Sequence, residues 1–104
     1  MITAIVLYDL PEGIGLAECR AHFAAIAPGF LDVPGLVRKQ FICAREGRVA
    51  GGSYLWKTQG DAERFYSGAW LDGIRARYGN DPRISYYETV AIADVPSGTA
   101  TALD

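Results

Sequence analysis

Histidine occurs once in this chain, methionine once, and cysteine twice, at Cys19 and Cys43. A single histidine, His22, excludes a two-histidine iron site built within one chain. The two cysteines have no metal-ligand spacing and read as small core hydrophobes with free thiols. Charge is also sparse: 21% of the residues are Asp, Glu, Lys or Arg, and the net charge is -2. Nucleic-acid binding needs a basic stripe, and none is present, because the basic residues are interleaved with acids. There is no long hydrophobic run. The apolar start, Met1 to Leu7, is cut by Asp9 and Pro11 and has no basic flank, so neither a membrane span nor a signal peptide is expected. The default compartment is the cytoplasm. A dinucleotide fingerprint is missing too: Gly13-Ile14-Gly15 lacks its third glycine, so no flavin or nicotinamide site is supported.

What is abundant is apolar. Half of the 104 residues are hydrophobic, slightly apolar for a monomer of this size, which suggests that a partner covers part of the surface. The length suits one domain. Ile2 to Asp9 reads as a strand closed by Pro11-Glu12-Gly13. Leu16, Cys19, Phe23, Ile26 and Ala27 share one helical face, and Pro28-Gly29 ends that helix. Leu36 to Ala44 and Val49 to Lys57 form two strands around the polar loop Arg45-Glu46-Gly47-Arg48. Thr58 to Asp61 resembles a capping box, Ser67-Gly68 breaks the helix that follows, and a second piece runs through Trp70, Leu71, Ile74 and Tyr78 to Gly79-Asn80. Arg83 to Ala93 is the last strand. Asp94 to Asp104 is Ser/Thr/Ala/Gly-rich and is expected to be a loosely held, flexible tail.

The order is β-α-β-β-α-β, an α+β ferredoxin-like domain over residues 1–93 with an antiparallel four-stranded sheet. Helices cover one face of such a sheet. Strand parity puts Ile2, Ala4, Val6 and Tyr8 on one face and Ile5, Leu7 and Asp9 on the other. In the third strand Tyr54 and Trp56 oppose Ser53 and Leu55. In the last, Ile84, Tyr86, Val90 and Ile92 oppose Ser85, Tyr87, Thr89 and Ala91. Neither face is charged enough to meet water across all four strands, so a homodimer is expected.

Several residues are candidates for chemistry. Lys39 stands mid-strand among apolar neighbours, where it must pair, snorkel or lose its proton. It either stabilises an enolate or phenolate or forms a salt bridge to Glu88 or Asp9. Its neighbour Arg38 points to the opposite face and reads as structural or interfacial. Tyr54, Trp56, Tyr66, Trp70, Tyr86 and Tyr87 are either core or the walls of a flat pocket for a planar substrate. His22, on the flank of its helix's apolar stripe, is an unremarkable surface group or a base near neutral pH. Gly51-Gly52 marks either a β-bulge or a close approach by a ligand or backbone.

Pro34-Gly35-Leu36, Lys39, Gly51-Gly52 and Tyr54-Leu55-Trp56 together resemble the YdhR-like putative monooxygenase family of the dimeric α+β barrel superfamily. The likeness continues through Ala62-Glu63, Phe65-Tyr66, Trp70, Tyr78-Gly79, Pro82 and Tyr86-Tyr87. It implies two four-stranded sheets facing each other in a dimer. Superfamily members include cofactor-independent oxygenases, heme-degrading oxygenases and isomerases. The heme-degrading type uses a histidine on the second helix, which this sequence lacks. The expectation is a monooxygenase with no tightly bound cofactor and no metal, acting on an aromatic or enolisable small molecule. Lys39, Tyr54 and His22 would be its catalytic groups, and Trp56, Tyr66, Trp70 and Tyr86 would bind substrate. An isomerase or cyclase on the same scaffold, or a non-catalytic small-molecule-binding protein, are the alternatives.

Overall fold

A computed structural model describes residues 1–103. Strand β1 (Ile2–Asp9) lies inside a sheet of order β2-β3-β1-β4, with every neighbouring pair antiparallel. The other strands of this sheet are β2 (Leu36–Cys43), β3 (Val49–Trp56) and β4 (Arg83–Glu88). Helices α1 (Leu16–Ile26), α2 (Gln59–Phe65) and α3 (Gly68–Tyr78) complete the ferredoxin-like α+β domain.

Alternation along β1 decides where the core lies. Ala4, Val6 and Tyr8 are buried, as are Ala50, Tyr54 and Trp56 of β3 and Cys19 and Phe23 of α1. Register places Ala4 beside both Tyr54 and Tyr86, and Val6 beside Gly52 and Ile84, so these residues share one face. The helix ends follow local chemistry. Glu18 accepts a hydrogen bond from the Gly15 N–H at 3.0 Å and holds the start of α1. Pro28 turns its end into a 3-10 turn, Ala27–Phe30. The Thr58 hydroxyl accepts from the Asp61 N–H at 3.1 Å and opens α2. Between α2 and α3 the chain breaks at Ser67, as its Ser-Gly pair suggests.

Two expectations about the backbone need correction. Gly51-Gly52 is not a bulge: β3 keeps unbroken register with β1, and the irregularity lies in β2, between Leu36 and Arg38. The last strand does not run to Ala93. β4 follows β1 only as far as Glu88, opposite Ile2. Past that point the chain leaves the sheet and pairs with itself, as hairpin β5 (Ala91–Asp94) and β6 (Thr99–Ala102). Val90 is therefore exposed, not turned to the helices. A turn at Ser97-Gly98 closes the hairpin, with the Ser97 hydroxyl donating to the Asp94 carbonyl at 3.2 Å. The stretch read as a loose tail thus contains strand β6, while Asp104 lies outside the described residues.

The hairpin also has a position. Ile92, Val95 and Pro96 form one wall of an open groove of about 430 Å³, and Thr3, Arg38, Gln40 and Leu55 of the helix-free sheet face form the other. A hydrogen bond between the hydroxyls of Thr3 and Thr89, 2.6 Å apart, stands at its root.

Candidate functional site

The opposite sheet face carries a smaller and more apolar cavity, of about 260 Å³, between α1, α3 and the sheet. Six parts of the fold converge on it. Tyr8 comes from β1, His22 and Phe23 from α1, Phe30 from the 3-10 turn, Lys39, Phe41 and Tyr54 from β2 and β3, and Trp70, Arg77 and Tyr78 from α3.

Lys39 is its distinguishing group. Parity in β2 sends Lys39 and Phe41 to the helix side, and cross-strand register sets Lys39 beside Tyr54. Lys39 Nζ lies 3.7 Å from the Phe30 ring centroid, 3.8 Å from that of Phe41 and 4.5 Å from that of Tyr54. These distances are within cation–π range for all three rings. Among the described residues it has no carboxylate partner. Asp9, one expected partner, pairs with Arg83 at 3.1 Å. Burial without an ion pair lowers the Lys39 amine to about 7. The ring faces favour the charged form, so they act against that shift. No buried side-chain nitrogen or oxygen among the described residues is left without a partner. Unpaired Nζ is therefore not sealed in, and it keeps access to the cavity.

Gly52 makes room for this arrangement. A Cβ there would fall 2.8 Å from Tyr54 Cε1 and 2.9 Å from Lys39 Cε. Next to it, a Cβ on Gly51 would fall 1.8 Å from the Val6 carbonyl oxygen on β1. The close-approach reading of the glycine pair is the one seen, toward a side chain at Gly52 and toward backbone at Gly51.

The other polar groups around the cavity hold defined protonation states. Burial pushes the Tyr54 hydroxyl well up, with the Trp70 indole beside it acting the other way, so Tyr54 remains an O–H donor. Tyr8 is raised by burial and by Tyr78, on which it stacks at 4.2 Å. His22 is lowered, first by burial and then by the positive charge of Arg77, which favours a neutral imidazole. Burial and nearby Cys43 push the Cys19 thiol up to about 11, which keeps it unreactive.

Lys39, Tyr54, His22 and Trp70, singled out from the sequence, come together around one space. Trp56, Tyr66 and Tyr86 do not line it. Trp56 is fully buried behind Tyr54, stacked on it at 5.8 Å, and donates its indole N–H to the Tyr66 hydroxyl at 3.0 Å. Tyr86 packs on Tyr66, 6.4 Å between ring centroids. These three form an aromatic layer that supports the wall. Sequence reasoning passed over Phe30, Phe41, Tyr8, Tyr78 and Arg77. Phe41 was within reach, since it stands two residues from Lys39 on the same strand face. Phe30 was not, because its position depends on how the Pro28-Gly29 turn folds back over β2.

Comparison with solved structures places this arrangement among known folds. A crystal structure described as a putative antibiotic biosynthesis monooxygenase from Deinococcus radiodurans superimposes with a TM-score of 0.66 at 14% identity. The match covers 90% of this chain and 97% of that one. The two proteins share a fold. At this identity the likeness shows the architecture alone. No protein-family profile matches the sequence, and no curated protein matches it. Among the described residues no group of three His, Cys, Asp or Glu side chains is placed to hold a metal ion, and no helix is long and apolar enough to cross a membrane.

Proposed function

We propose that this chain is a cofactor-independent monooxygenase of the YdhR-like type, acting on a small aromatic or enolisable molecule bound beside Lys39. The observation that carries the reading is the unpaired Lys39 amine, held against three aromatic rings at the wall of a partly open, mostly apolar cavity. A neutral phenol or enol enters such a space at little desolvation cost. Once it ionises, its oxyanion meets a lysine ammonium in low dielectric, where opposite charges attract far more strongly than in water. Tyr54, held protonated, donates a second hydrogen bond, and neutral His22 at the edge takes up the proton. The electron-rich carbanion form then reacts with oxygen. In a substrate with an activated CH₂, one oxygen atom ends in a new carbonyl and the other in water. Both electron pairs come from the substrate, so no separate reductant is required.

The fold neighbour's description supports an oxygenase, and the aromatic walls suit a planar substrate. At about 260 Å³ the cavity has room for a single-ring compound. The test is oxygen uptake with a panel of phenols and 1,3-dicarbonyl compounds. Turnover by the native chain and its loss in Lys39→Met, with the fold intact by circular dichroism, is the expected result. Retained turnover in that variant removes Lys39 from the mechanism, and product formed without oxygen makes the protein an isomerase or cyclase.

The proposal includes a homodimer. Ile5, Leu7, Ile42, Val49 and Leu55 lie on the helix-free face and are only partly buried within one chain. A second copy packed sheet to sheet would cover them. Sedimentation at micromolar concentration tests this, and a monomer there refutes it.

A further inference from the structure

We propose that Lys39 is also a covalent carbonyl-capturing site, whose amine forms an imine with a small aldehyde or ketone admitted to the cavity between α1, α3 and the sheet. The proposal shares the cavity of the proposed oxygenase but requires no oxygen chemistry, and it stands on two features of the geometry and one of the sequence.

The first is that Nζ is free of any partner. Among the described residues no carboxylate or carbonyl ties it down, and it keeps access to the cavity. The second is the set of rings. Phe30, Phe41 and Tyr54 surround Nζ at 3.7 to 4.5 Å, a cage that accepts an ammonium or an iminium equally well. The third is the lysine count: the chain has two lysines, and the other, Lys57, is exposed. Burial also raises the unprotonated share of the Lys39 amine near neutral pH well above that of an exposed lysine, and desolvated lysines of this kind are the ones that serve as nucleophiles.

The chemistry balances without an added oxidant or reductant. The Nζ lone pair attacks the carbonyl carbon and forms a C–N bond, while the C=O π pair moves to oxygen, which takes a proton. A second proton passes from nitrogen to that oxygen, which leaves as water with cleavage of the C–O bond as the nitrogen lone pair forms C=N, giving an iminium cation at the position the ammonium held. The rings then stabilise the product charge, and the apolar walls limit the water that would hydrolyse it. Arg77 at the rim, with its Nε donating to the Tyr78 hydroxyl at 3.3 Å, favours a carbonyl compound that also carries an acidic group.

The experiment is reductive trapping. The native protein is incubated at pH 7 with 4-hydroxybenzaldehyde and sodium cyanoborohydride, and the modified residue is located by peptide mass mapping. An exposed lysine with a pKa of about 10.4 is less than ~0.1% free amine at this pH. Lys39 is therefore expected to label at least ~10-fold faster than Lys57, even after allowing for its lower intrinsic basicity. Lys39→Arg should lose the adduct while keeping the positive charge. Equal labelling of Lys39 and Lys57, or adducts confined to Lys57 and the N-terminal amine, overturns the proposal. The proposed oxygenase has a signature of its own, because a phenol of the panel such as 4-nitrophenol should ionise on binding beside Lys39. If that ionisation persists in a protein whose Lys39 is never trapped, only the imine falls. If trapping occurs and no panel compound consumes oxygen, only the oxygenase falls.

Discussion

Replacing Lys39 with methionine should make the protein more stable, by an amount that shrinks as the pH rises. Burial lowers the Lys39 amine from 10.5 to about 7. At about 1.36 kcal/mol per pH unit, that gap disfavours the charged form in the fold by on the order of 5 kcal/mol. Three ring faces stabilise the same charge, at about 0.5–1 kcal/mol each when exposed and more when desolvated. The net penalty is then roughly 2–3.5 kcal/mol. The sign follows from proton counts. Below about pH 7 the amine is protonated in both states and the folded state bears the full penalty. From there to 10.5 the unfolded chain holds one proton more than the folded one, so stability contributed through Lys39 rises with pH. Methionine has nearly the same shape and no charge to desolvate, so it removes the dependence. Urea unfolding of both proteins at pH 6 and pH 9, at equal concentration, measures the effect. Other groups, such as Cys19 and the buried tyrosines, titrate alike in both proteins and cancel. The advantage of Lys39→Met should fall by roughly 1–3 kcal/mol between the two pH values. A constant or growing advantage would refute the desolvated-amine argument.

Further outcomes follow from other contacts. Gly52→Ala places a methyl 2.8 Å from Tyr54 and 2.9 Å from Lys39; it should cost about 1–3 kcal/mol and abolish reductive trapping at Lys39. Gly51→Ala meets the Val6 carbonyl at 1.8 Å and should separate β1 from β3, read as loss of cooperative thermal unfolding. Tyr66→Phe removes the acceptor of the fully buried Trp56 indole N–H. It should cost about 1–3 kcal/mol in urea unfolding yet leave 4-nitrophenol binding almost unchanged, because neither ring lines the cavity. Leu7→Glu puts a charge on the helix-free face and should yield a monomer by sedimentation if that face packs on a second copy.

The sequence by itself determined the four-stranded sheet and its helices. Alternation in Ile2 to Tyr8, the 3,4 spacing of Leu16 to Ile26, and the punctuation at Pro28-Gly29, Ser67-Gly68 and Gly79-Asn80 are local signals. Such signals survive because the physics behind them acts within a few residues. They also marked Lys39, since a lysine inside an apolar strand conflicts with its surroundings wherever the strand is placed.

Tertiary structure decided what lies around that lysine. Phe30 and Phe41 cage its amine, Asp9 pairs elsewhere, and Gly52 leaves the space, because these residues are neighbours through register and a folded-back turn rather than through sequence distance. The same long-range pairing settled which aromatics face the cavity: Trp70 does, while Trp56, Tyr66 and Tyr86 support it from behind. It also ended β4 at Glu88 and folded the following residues into a hairpin. Strand parity names the two faces of a strand. Only the neighbouring strands and the chain folded over them decide which face holds a cavity and where pairing stops.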